Sequence, residues 1–278
     1  MDNSDFTVLM SVYHNDKPEY VRRAVESVTS NQVLPPNEIV IIVDGRVPND
    51  LSELLDDYQS SETYNFSIIR LPENKGLGNA LRIGVEAAKY EIIARMDSDD
   101  VSHPDRFSKQ IAYLEAHPEC DVVGGQISEF IGDESNIVGK REVPCTNREI
   151  LMWLKGRCPF NHMSVTMLRS RVIAVGNYLD WHFNEDYYLW IRMAEAGYNF
   201  ANLPDTLVNV RVGKEMYARR GGWKYFKSEK GLQDYMLKNN VISFPRYTYN
   251  VLGRFAIQVL FPNKLRAFVF KKLFRKKN

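Results

Sequence analysis

Four short segments decide what this chain can become: Phe6 to Val12, Glu38 to Val43, Asn65 to Leu71 and Tyr90 to Met96. Each is rich in apolar residues with little alternation, and a strand of that kind has to be covered on both faces. Helix signals lie between them. Asp16-Lys17-Pro18-Glu19 offers an N-cap, an early proline and a glutamate at the third position, and Tyr20, Val21, Ala24, Val25 and Val28 follow at helical spacing. Pro35-Pro36 closes that element. Gly78 to Lys89 reads as a second helix, with Ala80, Leu81, Val85 and Ala88 on one side. Strand, helix, strand, strand, helix, strand predicts an α/β fold: a mostly parallel central sheet with helices on both faces.

Further along, Ser102 is placed to cap a helix ending near His117, and Asp121 to Ile127 predicts another strand. Arg148 to Leu154 reads as helix and Met163 to Leu168 as strand. Glu185 to Ala196 is a helix capped by Asn184 and closed by Gly197. After Gly213 the chain turns polar and aromatic, then basic. Length and composition agree with a folded α/β protein: 278 residues, 44% hydrophobic and 26% charged. Cys120, Cys145 and Cys158 are too few and too scattered for a disulfide framework, and with no CxxC pair no structural zinc site is expected. No signal peptide is visible, so a cytoplasmic location is expected.

The net charge of +1 conceals an asymmetry. Eight of the 36 basic residues fall between Arg254 and Asn278, where no acid occurs, so the rest of the chain holds 28 against 35 acids. From Phe255 onward these bases alternate with Val259, Leu260, Phe261, Leu265, Phe268, Phe270 and Phe274. That pattern suits a helix lying in an anionic membrane interface. The competing reading is a helix packed on the body with a frayed basic end. No apolar run approaches the ~20 residues that span a bilayer.

In an open parallel sheet, ligands bind beyond the carboxyl ends of the strands. Three predicted strands end there in polar groups: Ser11-Val12-Tyr13, Asp44-Gly45 and Asp97-Ser98-Asp99-Asp100. In an extended segment Asp97 and Asp99 point to the same side. Such a pair can hold Mg²⁺ or Mn²⁺ while leaving positions to water and phosphate; it can also be an acidic loop tip, or place one carboxylate on a ribose. Asp44-Gly45 can be a plain turn. Asn74-Lys75-Gly76-Leu77-Gly78 can be a phosphate-adjacent loop opening a helix or a tight turn; it is no Walker loop and no dinucleotide fingerprint. Glu185 and Asp186 open their helix, where acids complement the dipole. Trp181, His182, Tyr187, Tyr188 and Trp190 crowd this pair, which suits a sugar acceptor or ordinary core packing. His162 either lines that acceptor site or is structural.

Taken in order, these segments resemble the family 2 glycosyltransferases, whose catalytic domain has the fold called GT-A. The resemblance runs from about Phe6 to Arg220. It includes Ser11-Val12-Tyr13, Val43-Asp44-Gly45, Asn74-Lys75-Gly76, Arg95-Met96-Asp97-Ser98-Asp99-Asp100, Pro104-Arg106-Phe107 and Glu185-Asp186-Tyr187-Tyr188-Leu189-Trp190. It is strongest toward bacterial enzymes of O-antigen, capsule and exopolysaccharide synthesis, the amylovoran branch included. The resemblance implies a GT-A domain over 1–215, with a nucleotide-sugar half to about 100 and an acceptor half to 215. A helical, basic, membrane-associating extension would occupy 216–278.

The resemblance also implies residue roles. Val12 and Tyr13 would meet the base and Asp44 the uracil, with Lys75, Arg82 and Ser98 in the same nucleotide-sugar site. Asp97 would touch the ribose or a metal-bound water, and Asp99 would ligate Mn²⁺ or Mg²⁺. Asp186 would be the general base, supported by Glu185, with His162 and Trp190 on the acceptor side. Arg219 and Arg220 would add charge at the diphosphate, or form a solvated basic loop. Two departures stand out. Ala80-Leu81-Arg82 replaces the family's Ala-Arg-Asn, and no histidine lies near Val210 to Gly213 to serve as a third metal ligand.

The implied reaction is inverting transfer of a hexose from a UDP-sugar, UDP-glucose or UDP-galactose ahead of N-acetylated relatives. The acceptor would be a polyprenyl-diphosphate-linked sugar at the inner face of the cytoplasmic membrane; no nucleic acid is expected as partner. A sugar-nucleotide nucleotidyltransferase is the enzymatic alternative, but Ser11 to Asp16 lacks its glycine-rich basic signature. A membrane-bound carbohydrate-binding protein is the other, and it leaves the acidic strand ends idle.

Overall fold

The computed structural model describes residues 5–181, 183–213 and 221–262. Four parallel strands form one half of a mixed sheet in the order β3-β2-β1-β4: β1 (Phe6–Val12), β2 (Glu38–Val43), β3 (Phe66–Arg70) and β4 (Ile92–Asp97). The sheet continues from β4 through β8 (Thr166–Leu168), β6 (Val122–Phe130) and β9 (Phe200–Arg211) to the two-residue β5 (Val101–Ser102). β7 (Ile137–Arg141) pairs with β6. Only β8, β5 and β7 run against the parallel direction.

The strands' alternation sorts their side chains into two cores. Val8, Met10, Val12, Ile39, Ile41 and Val43 face one side, covered by α1 (Pro18–Val28), α2 (Asn49–Gln59) and α4 (Arg106–Ala116). Leu9, Val40, Ile42 and Ile93 face the other. They are covered there by α3 (Leu77–Ala87), α5 (Asn147–Leu154), α6 (Arg169–Ala174) and α7 (Glu185–Glu195). Gly84 lets α3 lie directly on β1, since a Cβ there would come within 2.2 Å of Leu9 Cδ1. Both faces are thus covered, as the apolar strands predict.

Several sequence expectations are corrected. α2, β7 and β9 were not foreseen. Ser102 caps no helix: it sits in β5 opposite Val208, and α4 begins only after Asp105. Asp16 does not cap α1; Lys17 holds that position, and its carbonyl takes the Tyr20 and Val21 amides. Asn184 stands at the N-cap of α7 without a side-chain cap, and its Nδ2 donates to Ser228 Oγ at 3.0 Å.

Past residue 220, α8 (Trp223–Lys238) packs on the second core through Leu232 and Met236, followed by Ile242 in the turn and Tyr247 of α9 (Phe244–Phe255). Asn250 donates to the Lys155 carbonyl at 2.8 Å, and Arg254 to the Gly156 carbonyl at 2.8 Å. The start of the expected extension is therefore docked on the body. Its basic end beyond 262 lies outside the described residues.

Candidate active site

Strand register brings the polar termini together. Ser11 of β1 lies opposite Asp97 of β4, and Val12 opposite Val43 of β2, so Tyr13, Asp44 and the acidic loop open from one edge. β9 is parallel to β6 and delivers Arg211 to that same edge, where the Arg211 amide donates to Asp100 Oδ1 at 2.8 Å.

Four carboxylates gather here. Asp16 accepts the Tyr13 amide at 2.9 Å and the Ser98 hydroxyl at 3.0 Å. Burial, with Asp97 adding repulsion, raises its pKa to about 6. Asp99 is raised to about 7, by burial first and then by Asp97 and Asp16. Asp100 is raised well above the usual range by burial, then by Asp99 and Asp97. Two arginines oppose this charge. Arg95, 2% exposed, pairs with Asp97 at 2.6 Å. The Arg211 guanidinium lies 3.9 Å from the Tyr20 ring centroid and 4.6 Å from that of Phe130, and its Nε donates to the Asp99 carbonyl at 3.1 Å. It is thereby locked against the backbone of the acidic loop. Like charges crowded to this degree suit a hard divalent cation, which would let Asp99 ionise at neutral pH. Among the described residues no group of three or more His, Cys, Asp or Glu is arranged as a metal cage. Asp97 and Asp99 would therefore leave most positions to phosphate and water.

Asp44, 3% exposed, clamps the neighbouring loop. Its two oxygens accept the Lys75 and Gly76 amides, each at 2.9 Å, and its carbonyl accepts Asn74 Nδ2 at 3.1 Å. Gly45 has φ +85°, and a Cβ there would sit 2.6 Å from the Asn74 nitrogen, so this approach needs glycine. The Lys75 ammonium pairs with Glu73 at 3.0 Å. Arg82 pairs along α3 with Glu86 at 2.9 Å and Asn79 at 3.2 Å.

The start of α7 lies against the first turn of α3, next to the loop that Asp44 clamps. Glu185 packs against Gly78 in the first turn of α3; a Cβ at Gly78 would lie 3.2 Å from Glu185 Cβ. Burial and the adjacent Asp186 raise the Glu185 pKa to about 7. Asp186 is raised by burial and held back by its hydrogen bonds and by the charges of Arg141 and Arg95. Its Oδ1 accepts the Tyr187 amide at 2.7 Å and its Oδ2 the Cys158 thiol at 3.5 Å. Arg95 is the link: it contacts Asp97 directly, and its charge reaches Glu185 and Asp186.

The acceptor-side aromatics come out differently. Trp190 is 0% exposed and lies 5.1 Å from Phe160, centroid to centroid. It packs the core and offers no face to an acceptor. His162 is buried with Nε2 on the Tyr178 hydroxyl at 2.9 Å, and burial followed by the Arg95 charge keeps it neutral. His182, Arg219 and Arg220 lie outside the described residues. Asp16, Arg95 and Arg211 were given no role in the site from sequence. An arginine inside a buried strand, as in Ile92-Ile93-Ala94-Arg95-Met96, is the signal that points to the second of these.

Residues 7–176 match the family described as Glycosyl transferase family 2, and residues 92–262 match Glycosyl transferase family group 2. An amylovoran biosynthesis glycosyltransferase of Erwinia amylovora is 38% identical over 267 residues, covering 96% of this chain and 98% of its own length. A UDP-Gal:alpha-D-GlcNAc-diphosphoundecaprenol beta-1,3-galactosyltransferase of Escherichia coli is 32% identical over 278 residues, covering 99% and 98%. Among solved structures, S. aureus TarS 1-349 in complex with UDP-GlcNAc superposes with a TM-score of 0.67 at 14% identity, over 97% of this chain and 76% of that one. Pyrobaculum calidifontis mannosyltransferase PcManGT, in complex with GDP-Man and Mn²⁺, gives 0.63 at 14%, over 96% and 74%. This chain shares their GT-A fold.

Proposed function

The chain belongs to glycosyl transferase family 2 and is a glycosyltransferase, and from that premise we propose that it moves a hexose from a UDP-sugar to a hydroxyl of a lipid-diphosphate-linked sugar, with inversion, during bacterial surface polysaccharide synthesis. The observation that carries the reading is the placement of two acidic groups, Asp97–Asp99 and Glu185–Asp186, around one buried cation, Arg95. UDP-galactose and UDP-glucose lead as donors; the E. coli relative is named for UDP-Gal and a diphosphoundecaprenol acceptor.

In this reading Val12 and Tyr13 pack on the base and Asp44, while holding its loop, meets the uracil. Ser98, Lys75 and Arg82 complete the nucleotide-sugar side. Asp99 with Asp97 holds Mn²⁺ or Mg²⁺, which when bound supplies Lewis acidity at the departing diphosphate. Asp186 takes the proton of the acceptor hydroxyl as that oxygen attacks the anomeric carbon opposite the leaving group. Arg95 favours the ionised form of Asp186 while neutralising Asp97. Arg219 and Arg220 add positive charge near the phosphates. The domain boundary near 215 follows the same reading, and the basic tail holds the protein on an anionic inner-membrane face. No described helix is long and apolar enough to cross a membrane.

Product stereochemistry tests the reaction. With Mn²⁺, UDP-galactose or UDP-glucose and a synthetic lipid-diphosphate GlcNAc, proton NMR of the disaccharide should show a β-linkage from the α-linked donor. An α-linked product would refute inversion, and no transfer here with formation of UDP-sugar and pyrophosphate from UTP and a sugar 1-phosphate would favour the nucleotidyltransferase reading.

A further inference from the structure

A shallow depression of about 380 Å³, wide open to solvent, lies beside the start of α7, lined by Trp181, Lys224, Lys227 and Ser228. We propose that this depression binds the diphosphate of the acceptor, an isoprenoid-diphosphate-linked sugar; this rests on the acceptor reading above.

Among the described residues no acid is paired with the two lysines of the depression. Lys224 and Lys227 stand three residues apart on one face of α8, where their side chains are neighbours and repel. Both are exposed. The nearby acids of α8 are spent elsewhere: Glu229 on Arg254, and Asp234 on Lys230 at 2.8 Å. The first turn of α8 contains no acid, so its amide dipoles add to the positive potential. A doubly ionised diphosphate matches two ammonium groups at this spacing.

The wall is built rather than incidental. Trp181 Nε1 donates to the Ser228 carbonyl at 3.1 Å. Gly231 makes room for the indole, since a Cβ there would lie 3.0 Å from Trp181 Cζ2. The depression is also tied to the reacting end. Asn184 donates to Ser228 Oγ and precedes Glu185 and Asp186 by one and two residues. An acceptor with its hydroxyl at Asp186 would therefore extend its anomeric phosphate toward α8. Next to Lys224 in the chain, Trp223 is 55% exposed and its ring lies 5.9 Å from that of Phe255, an apolar surface for the first isoprene units.

Calorimetric titration of farnesyl diphosphate tests this, with saturating UDP and Mn²⁺ present to occupy the donor site. Wild type should bind one equivalent. Lys224→Gln/Lys227→Gln should bind it weaker by about 10-fold or more, while Lys224→Arg/Lys227→Arg retains it and neutral farnesol binds neither. Equal affinity in wild type and the glutamine variant overturns the proposal. So does a glutamine variant that binds farnesyl diphosphate normally but detaches from phosphatidylglycerol vesicles, which would assign the lysines to the bilayer. The two readings fail separately. A wild type that binds farnesyl diphosphate at these lysines but transfers no sugar sinks the function and leaves the site. An active wild type whose acceptor KM is unchanged in the glutamine variant sinks the site and leaves the function.

Discussion

Replacing Asp99 with Asn should make the metal-free protein more stable, although the residue is the proposed metal ligand. The Asp99 carboxyl, ordinarily near 3.8, is held up to about 7 by burial and by Asp97 and Asp16. Ionising it at pH 8 therefore costs the fold about 4 kcal/mol relative to the unfolded chain. The group keeps some solvent and an amide must find its own partners, so about 2 kcal/mol of this should be recovered in Asp99→Asn. That corresponds to roughly 4 °C in Tm for a domain of this size. The sign fixes the pH window. Between 3.8 and about 7 the folded carboxyl keeps a proton that the unfolded chain releases, so wild-type stability falls across that range and levels off above it. The advantage of the variant should be full at pH 8 and small at pH 4. Differential scanning fluorimetry in EDTA measures it. Mn²⁺ with UDP should then raise the wild-type Tm and leave Asp99→Asn nearly unmoved. A metal-free variant that melts below wild type at pH 8 would refute the claim that these carboxylates crowd one another.

Three further outcomes are expected. The kcat/KM profile should fall as pH drops through about 7, where Glu185 protonates beside Asp186, and Glu185→Gln should move that limb to lower pH; an unmoved limb excludes Glu185 as its source. Gly45→Ala forces a side chain to φ +85° and against Asn74, so it should cost about 1–3 kcal/mol and raise the UDP-sugar KM as the Asp44 clamp loosens, read by denaturant melts and initial rates. Deleting Phe268 to Asn278 should release the protein from anionic vesicles in a flotation assay, and unchanged partition would reject the membrane role of the tail.

The parts legible in the sequence are those whose environment is uniform along the chain. β1 and β2 begin and end where their apolar runs do, because both faces of each are buried and alternation is weak. α2 escaped notice because Ser52, Asp56 and Asp57 dilute its apolar stripe to Leu51, Leu54 and Leu55. β9 carries Asn202, Pro204, Asp205 and Asn209, so nothing local marks it as a twelve-residue strand; its partner β6 does. Within the site, the acids at Asp97–Asp99 and Glu185–Asp186 were visible as strand and helix ends. Asp16 was not, since an aspartate two residues before a proline reads as a helix cap. Only the fold shows it turned toward Tyr13 and Ser98. Trp190 is the reverse case: an aromatic close in the chain to a carboxylate suits an acceptor or core packing, and its complete burial is that of a core residue.

In the proposed reaction donor capture belongs to the end of β4 and proton removal to the start of α7. Measuring UDP-sugar affinity with Mn²⁺ and sugar transfer side by side in Asp99→Asn and Asp186→Asn separates the two. Asp186→Asn should bind the donor nearly as wild type does and lose most turnover, a fall of about 10²-fold or more, while Asp99→Asn should lose the Mn²⁺-dependent affinity itself. Normal turnover in Asp186→Asn, or undiminished Mn²⁺-dependent binding in Asp99→Asn, would contradict that division.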